Sequence, residues 1–269
     1  MDRKQAMTDP LILQDIADDG VGRLTLNRPE VHNAFNDTLV AQLTAALLSM
    51  EAERRVRTVV LAAAGKSFSA GADLGWMQRM AGYSEEENLE DARALAGLMS
   101  TLDRLAKPTV ALVQGAAFGG GVGLVACCDI AIASEAASFC LSEVKLGLVP
   151  AVISPYVVAT IGPAAARHCI LTAERFSAEQ ALRLGLVHEV VPAAQLEQAG
   201  QRLVGQLAEG GPDAQAAAKD LIASVAGRPA DRELIDDTAR RIARTRASPE
   251  AREGISAFLE KRKAKWAPE

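Results

Sequence analysis

The architecture of this chain follows from the stretch KPTVALVQGAAFGGGVGLVACCDIAIAS, Lys107–Ser134. Its first part is rich in β-branched residues and predicts a strand at Thr109–Val113. The glycines of GAAFGGGVG, Gly115–Gly123, then predict a turn that leads into a helix. Another strand is predicted at Asp129–Ala133. A strand, a turn, a helix and a second strand in this order indicate an α/β core.

The same stretch contains 20 residues without a charge, Thr109–Cys128, which is long enough to span a bilayer. It also has the G-x-x-x-G spacing that is found in packed membrane helices. Five glycines interrupt it, however, and the segments around it are amphipathic. We therefore predict a buried strand, turn and helix here, and no association with a membrane.

Strands and helices alternate along the rest of the chain. Further strands are predicted at Leu11–Ile16, Gly22–Leu26, Thr58–Ala63 and Leu186–Val190, and Ala137–Leu141 is expected to extend the same sheet. Helices are predicted to begin at Asn36 or Asp37, at Leu74, and at a capping box formed by Ser84 and Glu87. From about Gly210 the chain becomes helical and rich in charge. We therefore expect a core at residues 1–209 and a helical region at residues 210–269.

Composition argues against several classes of protein. The formal net charge of −5 provides no overall attraction to nucleic acid, and aromatic residues, at 4%, are too few for a base-stacking platform. Four cysteines without C-x-x-C spacing and three histidines without metal-binding spacing predict no metal site. Because residues 1–10, MDRKQAMTDP, contain no apolar stretch of the signal-peptide type, we expect a cytoplasmic protein with reduced cysteines.

Two turns of small residues are candidates for binding a ligand through the backbone. SAGAD, Ser69–Asp73, directly follows a strand, and Asp73 can cap the next helix. In GAAFGGGVG, unpaired N–H groups at the start of a helix suit an anionic oxygen, as in an oxyanion hole. Alternatively, residues 121–126 fit a relaxed dinucleotide-binding fingerprint, with Glu143 about twenty residues further on. Both turns could also be purely structural, a tight β–α turn and glycines for helix packing.

Glu143 lies in SFCLSEVKLG, between an apolar strand and a loop. A carboxylate at a strand end, beside a pocket of small residues, can have a raised pKa and move protons near neutral pH. The alternative is an exposed glutamate that pairs with Lys145. Because the chain has no G-x-S-x-G and no Walker A motif, acid–base chemistry without a cofactor is the remaining prediction.

Taken together, these segments resemble the crotonase superfamily, also called the enoyl-CoA hydratase/isomerase family. LNRPEVHNAFN resembles its N-terminal CoA-binding loop, GKSFSAGADL and the stretch from Lys107 resemble its two oxyanion-loop signatures, and EVKLGLVP resembles the segment of its catalytic glutamate. AERFSAEQALRLGLVHEVV and EGISAFLEKRK resemble its later helix–strand unit and its C-terminal helix. The resemblance implies an α/β fold with a spiral of β-β-α units, a helical C-terminal trimerisation region, and a homotrimer or a hexamer.

The resemblance also assigns residues. The oxyanion donors fall on the backbone N–H groups of Ala72 and Gly120, and Glu143 falls on the family's second catalytic glutamate. The resemblance implies an acyl-CoA substrate. Because coenzyme A is part of that substrate, we expect no separate cofactor. Because the family's usual lysine after the SAGAD-type turn is missing, Arg28, His32 and Lys261 are candidates for the CoA phosphates, and Phe258 for the adenine. The remaining residues implied in substrate binding are Ala34, Ala70, Asp73, Leu74, Phe118, Gly119, Gly123 and Pro150.

Two departures from the family pattern sharpen the expected reaction. Two-glutamate hydratases carry their first glutamate at the position of Gly123, so we expect Glu143 to act alone. PAVISPYVV, Pro150–Val158, replaces a run resembling PGAGGTQ and resembles members that act on branched glutaconyl-CoA thioesters. We therefore expect hydration of a β-branched 2-enoyl-CoA, with 3-methylglutaconyl-CoA as the first candidate and isohexenylglutaconyl-CoA as the second. Gly123 is expected to vacate room for the branch.

Other functions stay open. A single carboxylate also fits a Δ3,Δ2-enoyl-CoA isomerase, in which one acid carries a proton between Cα and Cγ. A noncatalytic CoA-binding protein is a further alternative. RNA binding would need a basic surface, and the candidate is the cluster of Arg240, Arg241, Arg244 and Arg246, which we interpret instead as a solvated helix face or a subunit contact.

Overall fold

Nine strands and ten α-helices are present in residues 10–268, the part of the chain that this computed structural model describes. Residues 1–9, most of the segment inspected for a signal peptide, lie outside the described residues. The strands are β1 (Ile12–Ile16), β2 (Val21–Leu26), β3 (Thr58–Ala63), β4 (Thr109–Val113), β5 (Ala116–Phe118), β6 (Ile130–Ser134), β7 (Ser138–Cys140), β8 (Phe176–Ser177) and β9 (Glu189–Val191). The helices are α1 (Asp37–Ala52), α2 (Leu74–Met80), α3 (Glu85–Asp103), α4 (Gly120–Cys127), α5 (Ser154–Thr172), α6 (Ala178–Leu184), α7 (Leu196–Ala208), α8 (Pro212–Val225), α9 (Arg232–Arg246) and α10 (Pro249–Leu259).

Side-chain caps set where the early helices begin. The Asn36 side chain accepts a hydrogen bond from the N–H of Leu39, which starts α1. Ser84 and Glu87 form the predicted capping box at the start of α3. Both starts were predicted from the sequence and are confirmed.

The larger sheet has the strand order β1-β2-β3-β4-β6-β9. β1 and β2 form an antiparallel pair, and each later neighbour is added in parallel. Parallel strands are usually covered on both faces, and this sheet follows that rule. One face packs on α1, α3, α4 and α5, and the other packs on α7, where Leu112 and Ile132 meet Leu196 and Ala199.

A second, smaller sheet has the order β5-β7-β8. The expectation that Ala137–Leu141 extends the main sheet is wrong, because β7 pairs with β5 and β8 instead. β4 and β6 belong to the main sheet, whereas β5 and β7 that follow them belong to the smaller one. A helix comes next each time, α4 after β5 and α5 after β7, so the chain repeats strand, strand and helix. This confirms the predicted β-β-α units.

The uncharged stretch 109–128 is divided among β4, β5 and α4, as a buried strand, turn and helix would be. Across residues 10–268 no helix combines the length and the apolar character that a membrane crossing needs. The predicted strand is present here, and the turn contains the additional short strand β5.

The C-terminal helices α8, α9 and α10 pack on one another. The ammonium group of Lys219 in α8 ties them to the core, because it lies 2.5 Å from the carboxylate of Asp129. Several large apolar side chains of these helices are exposed, including Ile222, Ile235, Phe258 and Leu259. In α9, Arg240 pairs with Asp236 and Arg241 pairs with Asp237 and Asp220, so these two arginines already have acidic partners. The division into a core and a trimerisation region stays a prediction.

Candidate active site

The SAGAD turn sits between β3 and α2 and is joined to the second small-residue turn by backbone hydrogen bonds. The N–H of Ser69 donates to the carbonyl of Ala116 (3.0 Å), and the N–H of Phe118 donates to the carbonyl of Ser69 (2.8 Å). Ser69 and Ala117 thus form a parallel bridge. The two turns that the sequence singled out are therefore direct neighbours, although more than forty residues separate them.

Glycines at two positions permit this close approach. Gly71 has φ +91° and Gly119 has φ +50°, values that side chains of L-residues rarely allow. A Cβ added to Gly119 would lie 3.8 Å from Cα of Gly71 and only 3.0 Å from Oε1 of Glu143. Gly119 is thus the point where both turns and the glutamate converge.

Among residues 10–268, the backbone N–H groups of Ala72 and Gly120 have no hydrogen-bond acceptor. Their neighbours are engaged, since Asp73 donates to the carbonyl of Phe35 (2.8 Å) and Gly119 donates to that of Cys140 (2.9 Å). Within residues 10–268, the N–H of Ala72 makes no hydrogen bond, and Gly120 is the first residue of α4, where an N–H has no partner in the helix. These two groups are free to donate to a ligand oxygen, and the N-terminus of α4 adds a partial positive charge.

Glu143 begins a short 3-10 helix, Glu143–Leu146, directly after β7. Its Oε2 atom is buried and has no hydrogen-bond partner among the described residues. Burial raises the pKa of the Glu143 carboxyl above its usual range, and its own backbone N–H opposes this only in part. Lys145 does not pair with it, because its ammonium group donates instead to the carbonyl of Ala173 (2.6 Å). A carboxyl with a raised pKa and an unpartnered oxygen, next to free N–H donors, is suited to proton transfer.

The packing around Gly123 corrects one expectation. A Cβ added to Gly123 would lie 2.3 Å from Cγ2 of Ile153 and 3.2 Å from Cε of Met99. Gly123 therefore does not vacate room for a substrate branch, because the Ile153 side chain already fills that space. Ile153 is 3% exposed and comes from the PAVISPYVV segment, which begins at the buried Pro150.

The packing of α4 argues against the alternative of a dinucleotide-binding site. Gly121 is buried, and a Cβ added there would lie 2.8 Å from the carbonyl oxygen of Ser69. Gly121 and Gly123 thus allow α4 to pack against the SAGAD turn and against Ile153, and their backbone is not open to a pyrophosphate. These two glycines therefore permit close helix packing.

Arg28 connects the CoA-binding-loop segment to the SAGAD turn. Its guanidinium group lies 2.9 Å from the Asp73 carboxylate and donates to the carbonyl of Ala34 (2.6 Å). Asp73 in turn caps α2 by accepting from the N–H groups of Gly75 and Trp76. Burial raises the pKa of Asp73, but the hydrogen bonds from Arg28, Trp76 and Gly75 together hold that pKa below its usual value.

The other residues expected to bind substrate lie in several places. Ala70 and Ala72 are exposed on the SAGAD turn, and Leu74, the first residue of α2, is exposed beside it. His32 is also exposed, with its Nδ1 atom 3.1 Å from Oγ of Ser67. The half-buried Phe118 ends β5, beneath the guanidinium carbon of Arg175 at 4.9 Å from the ring centre. Phe258 and Lys261 lie at the end of α10, where Phe258 is 82% exposed, so the described contacts do not join them to the two turns.

All four cysteines are buried and free, which places them in the core. Burial raises the pKa of the Cys128 thiol to about 12, and it raises the pKa of the other three as well. A thiol with such a pKa is a poor nucleophile at neutral pH. Glu143 is therefore a better candidate for proton transfer than any of the four cysteines.

Two residues in this region were missed from the sequence. Phe35 contacts both turns, and Ile153 fills the space beside Gly123. Each lies in a segment that the sequence had singled out, LNRPEVHNAFN and PAVISPYVV. The bulky aromatic side chain in a loop was the available signal for Phe35, but its two contacts depend on the tertiary fold.

Comparisons with known proteins agree with this geometry. The family model described as Enoyl-CoA hydratase/isomerase matches residues 17–269. The crystal structure of an enoyl-CoA hydratase from Shewanella pealeana ATCC 700345 superposes with a TM-score of 0.93 at 46% identity, covering 96% of this chain and 96% of that one. Pseudomonas aeruginosa AtuE superposes with a TM-score of 0.91 at 39% identity, covering 96% and 100%. Enoyl-CoA hydratase AFT6-1 of Alternaria alternata is 36% identical over 251 residues, 91% of this chain and 80% of its own.

The fold and these comparisons define an enzyme of the enoyl-CoA hydratase type, and the groups near Gly119 are two backbone N–H groups and one carboxyl group. The chain belongs to the enoyl-CoA hydratase/isomerase family. The predicted crotonase-like α/β spiral is thereby confirmed, and so is the prediction of an enzyme of the enoyl-CoA hydratase type, a hydro-lyase.

Proposed function

We propose that this enzyme hydrates a β-branched 2-enoyl-CoA with Glu143 as its only catalytic acid. The observation that carries the proposal is the contact between Gly123 and Ile153. A side chain at position 123 would collide with Ile153, since an added Cβ already lies 2.3 Å from Cγ2 of Ile153. The position where two-glutamate hydratases carry their first acid is thus closed by an apolar side chain, and Glu143 remains.

In the proposed reaction, the thioester oxygen accepts hydrogen bonds from the N–H groups of Ala72 and Gly120. The Glu143 carboxylate takes one proton from a water molecule while the water oxygen forms a bond to Cβ. The electron pair of the Cα–Cβ double bond moves toward the thioester, giving an enolate oxygen that the two donors stabilise. The protonated Glu143 then returns its proton to Cα. One acid can serve both steps when water and proton add to the same face of the substrate.

The raised pKa of Glu143 supports this double role. The group must give up its proton readily enough to return it to Cα, yet be ionised enough to activate water. A carboxyl whose pKa is raised toward the working pH meets both demands better than an exposed one. The unpartnered Oε2 atom leaves room for a water molecule as its hydrogen-bond partner.

The apolar packing beside Gly123 supports the single acid, and the segment that carries Ile153 supports the choice of substrate. Ile153 and Met99 are 3% and 0% exposed, and they fill with hydrocarbon the place where a two-acid enzyme would carry a charge. Because this space is filled, no second acid can reach the substrate from position 123, and Glu143 has to act alone. The resemblance of PAVISPYVV to members that act on branched glutaconyl-CoA thioesters supports 3-methylglutaconyl-CoA as the substrate and 3-hydroxy-3-methylglutaryl-CoA as the product. Isohexenylglutaconyl-CoA is the second candidate of the same type.

Assembly into trimers or hexamers forms part of the proposal. The exposed apolar side chains of α8, α9 and α10, among them Ile235 and Phe258, need a cover that the described chain does not supply. A neighbouring subunit would cover them and could bring Phe258 and Lys261 to the adenine and phosphates of the acyl-CoA. The reaction then needs no cofactor beyond the coenzyme A of its own substrate.

Isomerisation of a Δ3-enoyl-CoA to the Δ2 form is the second candidate, and the same observation favours it. With only Glu143 as acid, a proton could move from Cα to Cγ without any water. The two reactions differ in mass balance, because hydration adds one water to the substrate and isomerisation adds none.

A turnover assay with three thioesters in parallel tests the proposal: crotonyl-CoA, 3-methylglutaconyl-CoA and isohexenylglutaconyl-CoA. We expect the branched thioesters to be hydrated with a kcat/KM at least tenfold above that of crotonyl-CoA, with a product heavier by one water. Faster hydration of crotonyl-CoA would contradict the choice of substrate. A product of unchanged mass from a Δ3-enoyl-CoA, without hydration of any of the three thioesters, would replace hydration by isomerisation.

A further inference from the structure

We propose that Phe35 is a positioning residue that sets the spacing between the two oxyanion donors, Ala72 and Gly120. Its backbone holds one donor and its ring lies against the other. The inference rests on the proposed oxyanion role of those two N–H groups. It does not depend on which acyl chain the enzyme accepts or on how Glu143 acts.

The backbone of Phe35 brackets Ala72. The N–H of Phe35 donates to the carbonyl of Gly71 (2.7 Å), and its carbonyl accepts from the N–H of Asp73 (2.8 Å). Phe35 and Ala72 thus form a parallel bridge. Because the peptide groups on both sides of Ala72 are tied to one residue, the direction of the Ala72 N–H follows the position of Phe35.

The ring of Phe35 packs on Gly120. A Cβ added to Gly120 would lie 3.2 Å from Cε2 of that ring, 3.4 Å from Cδ2 and 3.6 Å from Cζ. The side chain is 2% exposed, so it has little freedom to turn away. Since Gly120 is the first residue of α4, contact with the ring restrains the position of the N-terminus of this helix. The N–H of Gly120 is fixed with it.

The segment that carries Phe35 is itself held in place without help from a substrate. Asn33 is completely buried, and its side chain accepts from the N–H of Arg28 (2.8 Å) and donates to the carbonyls of Ala64 and Ser67 (both 2.8 Å). Arg28 donates to the carbonyl of Ala34, the residue before Phe35. Phe35 is therefore a rigid spacer, as preorganised donors require.

A substitution that shortens this spacer should affect the transition state more than the ground state. Removing one oxyanion donor typically lowers kcat by about 10²–10³-fold, and a displacement of about 1 Å can cost about 10²-fold. We therefore expect Phe35→Leu to lower kcat by about ten- to a hundredfold, with KM changed by less than about threefold. A purely structural role in the core would lower the thermal stability without this division between kcat and KM.

The direct test uses acetoacetyl-CoA as the probe, because its enolate absorbs in the near ultraviolet and places a negative oxygen on the same donors. We expect the wild-type enzyme to lower the pH at which the bound probe ionises. In Phe35→Leu that pH should rise by about one unit, which corresponds to a tenfold loss of enolate stabilisation. Phe176→Leu is the matched control, since Phe176 is also buried in the core but stacks on Phe139. It should titrate like the wild type.

A second measurement covers the case in which Phe35→Leu folds poorly. Phe35→Met keeps most of the volume, and Gly120→Ala places a methyl group against the ring. If the ring contact matters, Gly120→Ala should reduce enolate stabilisation less in the Phe35→Met background than in the wild type, so the two losses should not add. Additive losses, or a Phe35→Leu enzyme that titrates like the wild type, would overturn the proposal.

The outcomes separate this inference from the proposed function. If wild-type enzyme does not stabilise the enolate, the oxyanion role of Ala72 and Gly120 fails, and the role of Phe35 fails with it. If wild-type enzyme and Phe176→Leu stabilise the enolate and Phe35→Leu does not, Phe35 is a positioning residue, even where 3-methylglutaconyl-CoA proves not to be the substrate.

Discussion

Ile153 occupies the space beside Gly123, so closely that a Cβ on Gly123 would lie 2.3 Å from Cγ2 and 3.0 Å from Cβ of Ile153. The two residues come from different elements, α4 and the loop before α5, and each restricts the other. The space beside this helix glycine, which we expected to be open to the substrate, is occupied by the Ile153 side chain. A hydrocarbon contact thus lies at the position where two-glutamate hydratases carry their first acid, and the proposal of a single-glutamate site rests on this contact.

This contact predicts that Gly123→Ala destabilises the protein. Overfilling a packed core typically costs about 1–3 kcal/mol, and here the added methyl group would displace the branched Ile153 side chain. Chemical denaturation measures the loss. In an Ile153→Ala background the same change should cost less, because the collision is relieved.

Gly97→Ala is the matched control for that experiment. Gly97 also lies within a helix, α3, but no heavy atom lies within 4 Å of a Cβ added there. Because alanine is favoured over glycine in a helix by about 0.5–1 kcal/mol, this change should leave stability unchanged or raise it. A Gly123→Ala protein as stable as Gly97→Ala would refute the packing described here.

Arg28 provides the second prediction, because its contacts argue against the phosphate-binding role expected from the sequence. Its guanidinium group is engaged by Asp73 and by the carbonyl of Ala34, and its side chain is 12% exposed. Arg28→Ala should therefore lower the free energy of unfolding by about 1–3 kcal/mol, as expected for lost hydrogen bonds to a charged group. The affinity for free coenzyme A, measured by calorimetry, should change by less than about threefold.

The control for Arg28 is Arg79→Ala, since Arg79 pairs with Asp37 on the surface and half of its side chain is exposed. Surface ion pairs contribute about 0–1 kcal/mol, so this variant should unfold like the wild type. A more than tenfold loss of coenzyme A affinity in Arg28→Ala, with unchanged stability, would restore the phosphate-binding role.

The third prediction concerns pH and the stability of Glu143→Gln. Burial raises the pKa of Glu143 in the folded protein, so the folded state holds this proton more tightly than the unfolded state. Stability should therefore fall as pH rises from the carboxyl's ordinary pKa, about 4.3, through the raised pKa of the folded protein. The glutamine variant does not titrate at this position. It should be more stable than the wild type near neutral pH, and the difference should vanish below about pH 4.

Denaturation curves of both proteins across this pH range provide the measurement. A stability difference that is constant with pH, or one that grows as the pH falls, would show that the folded protein does not raise the pKa of Glu143.

Much of the fold was accessible from the sequence because its signals are local. Helix starts are marked by side chains that act within three residues along the chain, namely Asn36 for α1 and the pair Ser84 and Glu87 for α3. The β-branched residues of Thr109–Val113 predict a strand in the same local way. The short strand β5 was missed because Ala116–Phe118 has no alternating pattern and looks like part of a turn. The sheet to which β7 belongs could not be inferred, since a three-residue strand carries no mark of its partners.

For the candidate site, too, local features could be predicted from the sequence and contacts between distant segments could not. Glu143 and the two small-residue turns stand out in the sequence because their residue types suit an anionic oxygen and a proton. The contacts of Arg28 could not be inferred because its partner Asp73 lies 45 residues away, and those of Gly123 because its neighbour Ile153 lies 30 residues away. Distances between segments such as these arise only when the two sheets and α4 are packed together.

The proton chemistry of Glu143 is tested most directly by the hydration rate of Glu143→Gln. The variant should be compared with the wild type and with Glu135→Gln, a change at an exposed glutamate on the turn between β6 and β7. General acid–base catalysis contributes about 10²–10⁴-fold to a rate. We expect kcat for 3-methylglutaconyl-CoA to fall by at least 10²-fold in Glu143→Gln. Affinity for acetoacetyl-CoA and the rate of Glu135→Gln should stay unchanged. Hydration by Glu143→Gln within a few-fold of the wild-type rate would contradict a single-glutamate mechanism.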